Sequence, residues 1–189
     1  MYCFAFTAIM RFGEIMNGKV ERKSLRMKYY DYSSNGMYFI TICAYDKQHI
    51  FGRITDGKMH LSTIGKIAEE EIIFANKRRK DHFIEITKYV IMPNHIHMII
   101  DIYKPDFFRK YKQEDFGKPG KEAVSSVVRS YKSAVTKRVH EISDGINIPY
   151  NVWQGRYFDN VIRNEEALEK ICNYIETNPL LWKEDKFYK

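Results

Sequence analysis

The spacing of apolar and polar positions changes period several times along the chain, and each change marks an element. Met37 to Ala44 (MYFITICA) is almost continuously apolar and rich in β-branched and aromatic residues. It predicts a central strand entered from a turn at Asn35-Gly36. In IFGRITDGKMHL, the Asp56-Gly57 pair predicts a hairpin flap joining Ile50–Ile54 to Lys58–Leu61. Ser62 or Thr63 then caps a helix over residues 63–80, where Ile64, Ile67, Ala68, Ile72 and Ala75 recur at helical spacing. Its basic end, Lys77 to Lys80, suits the negative pole of the helix dipole and equally suits a face turned to nucleic acid.

Residues 83–92 read as a strand, Pro93-Asn94 as a sharp turn, and 95–102 as the antiparallel neighbour. A loop over 103–120 follows, long enough to suggest function or mobility. A helix over 121–140 carries a buried stripe of Val124, Val127, Val128, Tyr131, Val135 and Val139, opposite a basic face with Arg129 and Lys132. After a loop at 141–150, the aromatic stretch 151–162 leads into an edge strand. Asn164 caps a last helix, which has Glu165 and Glu166 in its first turn and is stopped at Asn178-Pro179. The order strand, helix, strand, strand, helix, strand matches a ferredoxin-like split βαβ, an α+β fold. It places an antiparallel sheet under two helices, with the last helix against the other face or the edge.

Composition adds a direction to this frame. The 189 residues fit one domain, with a core at about 22–182 and an extension at 1–21. A net charge of +7 attracts phosphates, and 15% aromatic residues can fill a core or stack on bases. Cys3, Cys43 and Cys172 form no CxxC pair, so neither a zinc knuckle nor a disulfide framework is expected, consistent with a reducing cytoplasm. The short apolar stretch Phe4 to Ile9 has no basic flank and is expected neither to span a membrane nor to act as a signal peptide.

The chemistry centres on His95-Ile96-His97. Strand side chains alternate, so the two imidazoles share one face while Ile96 and Met98 point to the other. Such a pair can hold one divalent cation, or can simply be polar positions on a solvated sheet face.

Three ordered motifs decide between these readings: RKSLRMKYYDYSSNGMYFITI, YVIMPNHIHMII and VWQGRYFDNVIRNEEALEKICNYIETNP. Together they resemble the REP-associated tyrosine transposases, within the HUH-type single-tyrosine (IS200-like) family, over residues 22 to 182. The resemblance implies a divalent metal, Mg²⁺ or Mn²⁺, on His95 and His97, a catalytic tyrosine at Tyr174, and a third ligand at Asn178. No nucleotide cofactor is implied, and no phosphate-binding glycine loop is present. Tyr174 and Asn178 are i and i+4, so they share one helix face.

The implied reaction is attack of Tyr174 on single-stranded, hairpin-bearing DNA, giving a 5′-phosphotyrosine and a free 3′-hydroxyl. Tyr157 is the rival nucleophile. Arg22, Lys23, Arg26, Arg129, Lys132, Trp153, Gln154, Arg156 and Arg163 are the expected DNA contacts. The phenol needs activation, and His82 and His140 are candidate bases by residue type alone. The protein is expected to work as a monomer or homodimer. Two alternatives are a non-catalytic nucleic-acid-binding protein on the same fold, which a Tyr174 buried away from the histidines would favour, and a metal-dependent hydrolase using water.

Overall fold

The near-continuous apolar run after Asn35 becomes strand β1 (Gly36–Cys43), and it takes a central place because it is apolar on both faces. The computed structural model describes residues 31–79, 83–105, 123–142 and 151–188. These belong to the larger of two units into which the chain divides, Asp31–Lys189. The expected extension at 1–21, the contacts Arg22, Lys23 and Arg26, the base candidate His82 and most of the two long loops lie outside the described residues.

A two-stranded ribbon follows β1: β2 (Gly52–Thr55) and β3 (Lys58–Leu61), joined at Asp56 and Gly57, both with positive φ. That backbone matches the twist of a tight hairpin. The ribbon begins two residues later than expected because Phe51 is diverted into the core, fully buried, with its N–H donating to the Pro93 carbonyl at 3.1 Å. Helix α1 (Thr63–Arg79) starts where Ser62 Oγ accepts the Gly65 N–H at 3.0 Å. Strands β4 (Ile84–Met92) and β5 (His95–Ile102) are antiparallel neighbours on either side of Pro93-Asn94. Helix α2 (Val124–Glu141), strand β6 (Phe158–Ile162) and helix α3 (Glu165–Thr177) complete the order.

The four-stranded sheet runs β4-β5-β1-β6, all pairs antiparallel, with β6 at one edge. This is the ferredoxin-like arrangement. One face presents Tyr38, Ile40, Ile42, Ile96, Met98 and Ile100, all fully buried. Helices α1 and α2 cover it. All six predicted stripe residues of α2 are buried, and Tyr131 Oη donates to the Ala68 carbonyl of α1 at 2.9 Å. The opposite face carries Phe39, Thr41, His95 and His97 and lies under α3. Asn164 caps α3 as expected, its Oδ1 accepting the Ala167 N–H at 2.8 Å. Beyond α3 the chain turns back through a short 3₁₀ turn, Trp182–Glu184, and buries Trp182 and Phe187. No helix among the described residues is long and apolar enough to cross a membrane.

Candidate metal centre beneath the tyrosine helix

Antiparallel pairing places Cys43 opposite His95 and Thr41 opposite His97, so both rings rise from the centre of the sheet. They are not on a solvated face: His95 is 0% exposed and His97 1%. Each ring is held through Nδ1. Asn94 Nδ2 donates to the Phe187 carbonyl at 2.9 Å, which turns Asn94 Oδ1 toward His95 Nδ1 at 2.8 Å. His95 Nδ1 therefore carries its proton, and its Nε2 lone pair points inward. Thr41 Oγ1 lies 2.8 Å from His97 Nδ1. The two Nε2 atoms face each other at 3.0 Å.

At that distance one neutral ring can donate its Nε2–H to the other, or a cation can take that proton's place between two lone pairs. Burial disfavours a further proton that would charge the pair. It lowers His95 to about 4, against the raising effect of Asp185 and with help from Lys186 and Lys47. It also holds His97 well below the ordinary histidine range, reinforced by His95 and Lys186. Neutral, oriented imidazoles of this kind are what a divalent cation requires.

A carboxylate completes the set. Asp185, whose side chain is 1% exposed, brings Oδ2 to 4.0 Å from His95 Nε2. The donor atoms of His95, His97 and Asp185 all lie within 4.8 Å of one another. Asp185 is itself positioned, since its Oδ1 accepts the Phe187 N–H at 2.6 Å. Two nitrogens and a carboxylate fit a divalent cation such as Mn²⁺ or Mg²⁺ without selecting between them.

Asn178, the expected third ligand, is also here. It ends α3, is 2% exposed, and donates from Nδ2 to Asp185 Oδ2 at 3.1 Å. Its Oδ1 is a buried oxygen with no hydrogen-bond partner among the described residues. An orphaned buried acceptor costs about 1–3 kcal/mol, which a cation ligated by that oxygen would offset.

Tyr174 closes the cluster. Its hydroxyl donates to Asp185 Oδ2 at 2.9 Å and lies 3.2 Å from His97 Nε2. The ring packs edge-on against Phe39 and His97, with 36% of the residue exposed. Burial, and then the neighbouring Asp185 carboxylate, push its phenol well above the ordinary tyrosine range. Left to these surroundings, the oxygen keeps its proton.

Other expected site residues lie elsewhere. Arg129 is exposed on α2, across the sheet from the histidines. Lys132 Nζ is tied to the Gln154 carbonyl at 2.6 Å, and Trp153 Nε1 donates to the Lys132 carbonyl at 3.1 Å. Arg156 and Arg163 are exposed before and after β6, and His140 is exposed near the end of α2. Asn94, Thr41, Asp185 and Phe187 were not foreseen. Asn94 directly precedes the histidines and Thr41 needed only the β1–β5 register, but Asp185 sits in a charged segment that reads as solvated surface.

No family model matches the chain. A Haemophilus influenzae protein, itself described as uncharacterised, is 34% identical over 173 residues, covering 88% of this chain and 93% of that one. Among solved structures, a REP-associated tyrosine transposase bound to a REP hairpin aligns with a TM-score of 0.54 at 21% identity, over 85% of this chain and 77% of the other. The chain therefore belongs to one protein family with the Haemophilus influenzae protein, and its fold is that of a REP-associated tyrosine transposase.

Proposed function

We propose that this protein is a metal-dependent, single-tyrosine DNA nickase and strand transferase acting on single-stranded DNA that carries a hairpin. The observation that carries this is the Tyr174 hydroxyl, 3.2 Å from His97 Nε2 and hydrogen-bonded to Asp185. A core aromatic would have no reason to bring its one polar atom to the only cluster of metal-donor side chains among the described residues. The same contact disfavours a purely binding protein on this fold.

His95, His97 and Asp185 would hold the cation, with Asn178, hydrogen-bonded to Asp185, as the further ligand that the resemblance implies. When bound, it supplies Lewis-acid polarisation of a phosphate oxygen and charge stabilisation in the displacement. Tyr174 Oη forms the new bond to phosphorus, the bond from phosphorus to the 3′ oxygen breaks, and a 5′-phosphotyrosine results. The phenolic proton leaves along its hydrogen bond to Asp185, and the departing 3′ oxygen ends as a hydroxyl. Phe39 and Phe187 wall the histidines and exclude water from them. Tyr174 reaches the histidines of its own chain, which supports action in cis by a monomer. The basic surface suits the phosphate backbone, and the REP hairpin bound by the structural neighbour suggests a palindromic substrate.

The test incubates the protein with hairpin-bearing single strands and Mn²⁺ or Mg²⁺ and looks for a denaturation-resistant protein–DNA adduct. The adduct is expected to vanish in Tyr174→Phe and to persist in Tyr157→Phe. Cleavage without any adduct would favour water as nucleophile, and an adduct surviving Tyr174→Phe would overturn the assignment.

A further inference from the structure

Away from the histidines, the end of β1 opens into a cavity of about 550 Å³ lined by Tyr45, Asp46, Asn151, Trp153, Gln154 and Gly155. We propose that this cavity binds one unpaired base of the DNA strand, with adenine preferred. The inference rests on the DNA-processing reading above and adds to it a site of base selection.

The walls are built before any ligand arrives. Trp153 is backed by Phe51 and Tyr131, with ring centroids at 5.2 and 5.9 Å, and its Nε1 is fixed on the Lys132 carbonyl. The Gln154 backbone is held at both ends, its N–H donating to the Cys43 carbonyl at 3.0 Å and its carbonyl accepting from Lys132 Nζ. An indole locked in this way is a stacking platform that loses little freedom on binding. Tyr45, with 47% of its surface exposed, also lines the cavity.

The backbone beneath Tyr45 is unusual. Asp46 and Lys47 both have positive φ, 49° and 53°, a conformation that side-chain-bearing residues adopt at a cost. It is maintained by Tyr45 N–H to the Val152 carbonyl and Lys47 N–H to the Ala44 carbonyl. This strained turn directly follows Tyr45 and contributes Asp46 to the cavity lining.

The polar lining gives the selectivity. Asn151 and Gln154 offer side-chain amides, the groups that pair bidentately with adenine N6 and N7. Cys43, which anchors Gln154, is the β1 residue paired with His95, so the cavity lies toward that end of the strand, with its Trp153 wall packed on α2 across the sheet from the histidines. Gly155 leaves the cavity open, because a Cβ built there meets no atom within 4 Å. A larger side chain at 155 can therefore fill the space without disturbing the fold.

The experiment measures fluorescence anisotropy of labelled DNA hairpins in EDTA, with single-stranded flanks made entirely of adenine, cytosine or thymine. The native protein is expected to bind adenine flanks about tenfold more tightly than the others. Tyr45→Ala and Gly155→Phe should each erase that preference by weakening adenine-flank binding about tenfold, with an unchanged thermal melt and adduct formation retained at saturating DNA and Mn²⁺. Equal affinity for all flanks, or a preference that survives both substitutions, overturns the base pocket while leaving the nuclease reading intact. Failure of the native protein to bind any of the hairpins overturns both.

Discussion

Strands β1 and β5 build two unlike faces from alternate residues. The face under α1 and α2 is fully buried, and α2, one of the two helices that cover it, buries six side chains. The face under α3 is just as deeply buried at its centre, yet it holds two histidines, a threonine, an aspartate and an amide with an orphaned oxygen. Helix α3 buries only Ile175. The first face is arranged for stability. The second spends stability to hold neutral imidazoles, a carboxylate and a phenol together, as expected of a functional site.

Adjacent residues break the comparison most sharply, because His97 and Met98 point to opposite faces. His97→Ala is expected to reduce metal-dependent adduct formation by about a thousandfold or more, with a small effect on folding. Asp185→Ala should resemble it. Met98→Ala should do the reverse, lowering unfolding stability by about 2–5 kcal/mol while leaving Mn²⁺ affinity nearly unchanged. Urea denaturation and Mn²⁺ titration on the same samples check both arms. A Met98 variant that loses metal binding in the folded state would show that the faces are not separable.

How much of this was legible follows from what local pattern can encode. Alternation put both histidines on one face, and helical spacing picked out the whole buried stripe of α2, because each depends only on the geometry of its own element. The i, i+4 relation likewise placed Tyr174 and Asn178 together. Whether the histidine face was wet or dry could not be read, since that depends on α3 and the returning C-terminal segment. Asp185 shows the limit. WKEDKFYK has the composition of a solvated tail, and only the burial of Trp182 and Phe187 against the sheet draws the carboxylate inside. Thr41 needed a strand register, which distant pairing fixes.

Acid should expose the polar face's cost. In the unfolded chain His95 takes up a proton below its ordinary 6.5, whereas the buried ring resists until about 4. Between those values the unfolded state binds more protons, so stability falls as pH falls through that window. His95 alone contributes a loss of up to about 3 kcal/mol, and His97 shifts in the same direction. Denaturation midpoints measured with chelator present should therefore drop steeply from pH 6.5 to 4.5. His95→Gln should flatten the slope, and an equally steep slope in that variant would assign the acid sensitivity to other groups.

A smaller effect tests ring orientation. Thr41→Val keeps the shape but removes the hydroxyl that meets His97 Nδ1. Groups that orient a ligating histidine are typically worth 10- to 100-fold in metal affinity. Titration with Mn²⁺ should show a loss in that range, with a fold as stable as before. An unchanged affinity would mean that packing against Phe39 alone sets the ring.

The smallest effect concerns how loosely the nucleophile's helix is held. With one buried side chain, α3 draws little stability from packing, so its N-cap carries an unusual share. Asn164→Ala removes the acceptor of the Ala167 N–H and should cost about 1 kcal/mol. With one buried side chain against six in α2, α3 should show that loss locally, as roughly fivefold faster amide exchange across Glu165–Thr177 with α2 unaffected. Adduct formation should stay nearly unchanged, since the open fraction remains small and Tyr174 still meets His97 in the folded majority. Equal acceleration in both helices would mean that α3 opens only with the whole sheet, and that the polar face is held as tightly as the apolar one.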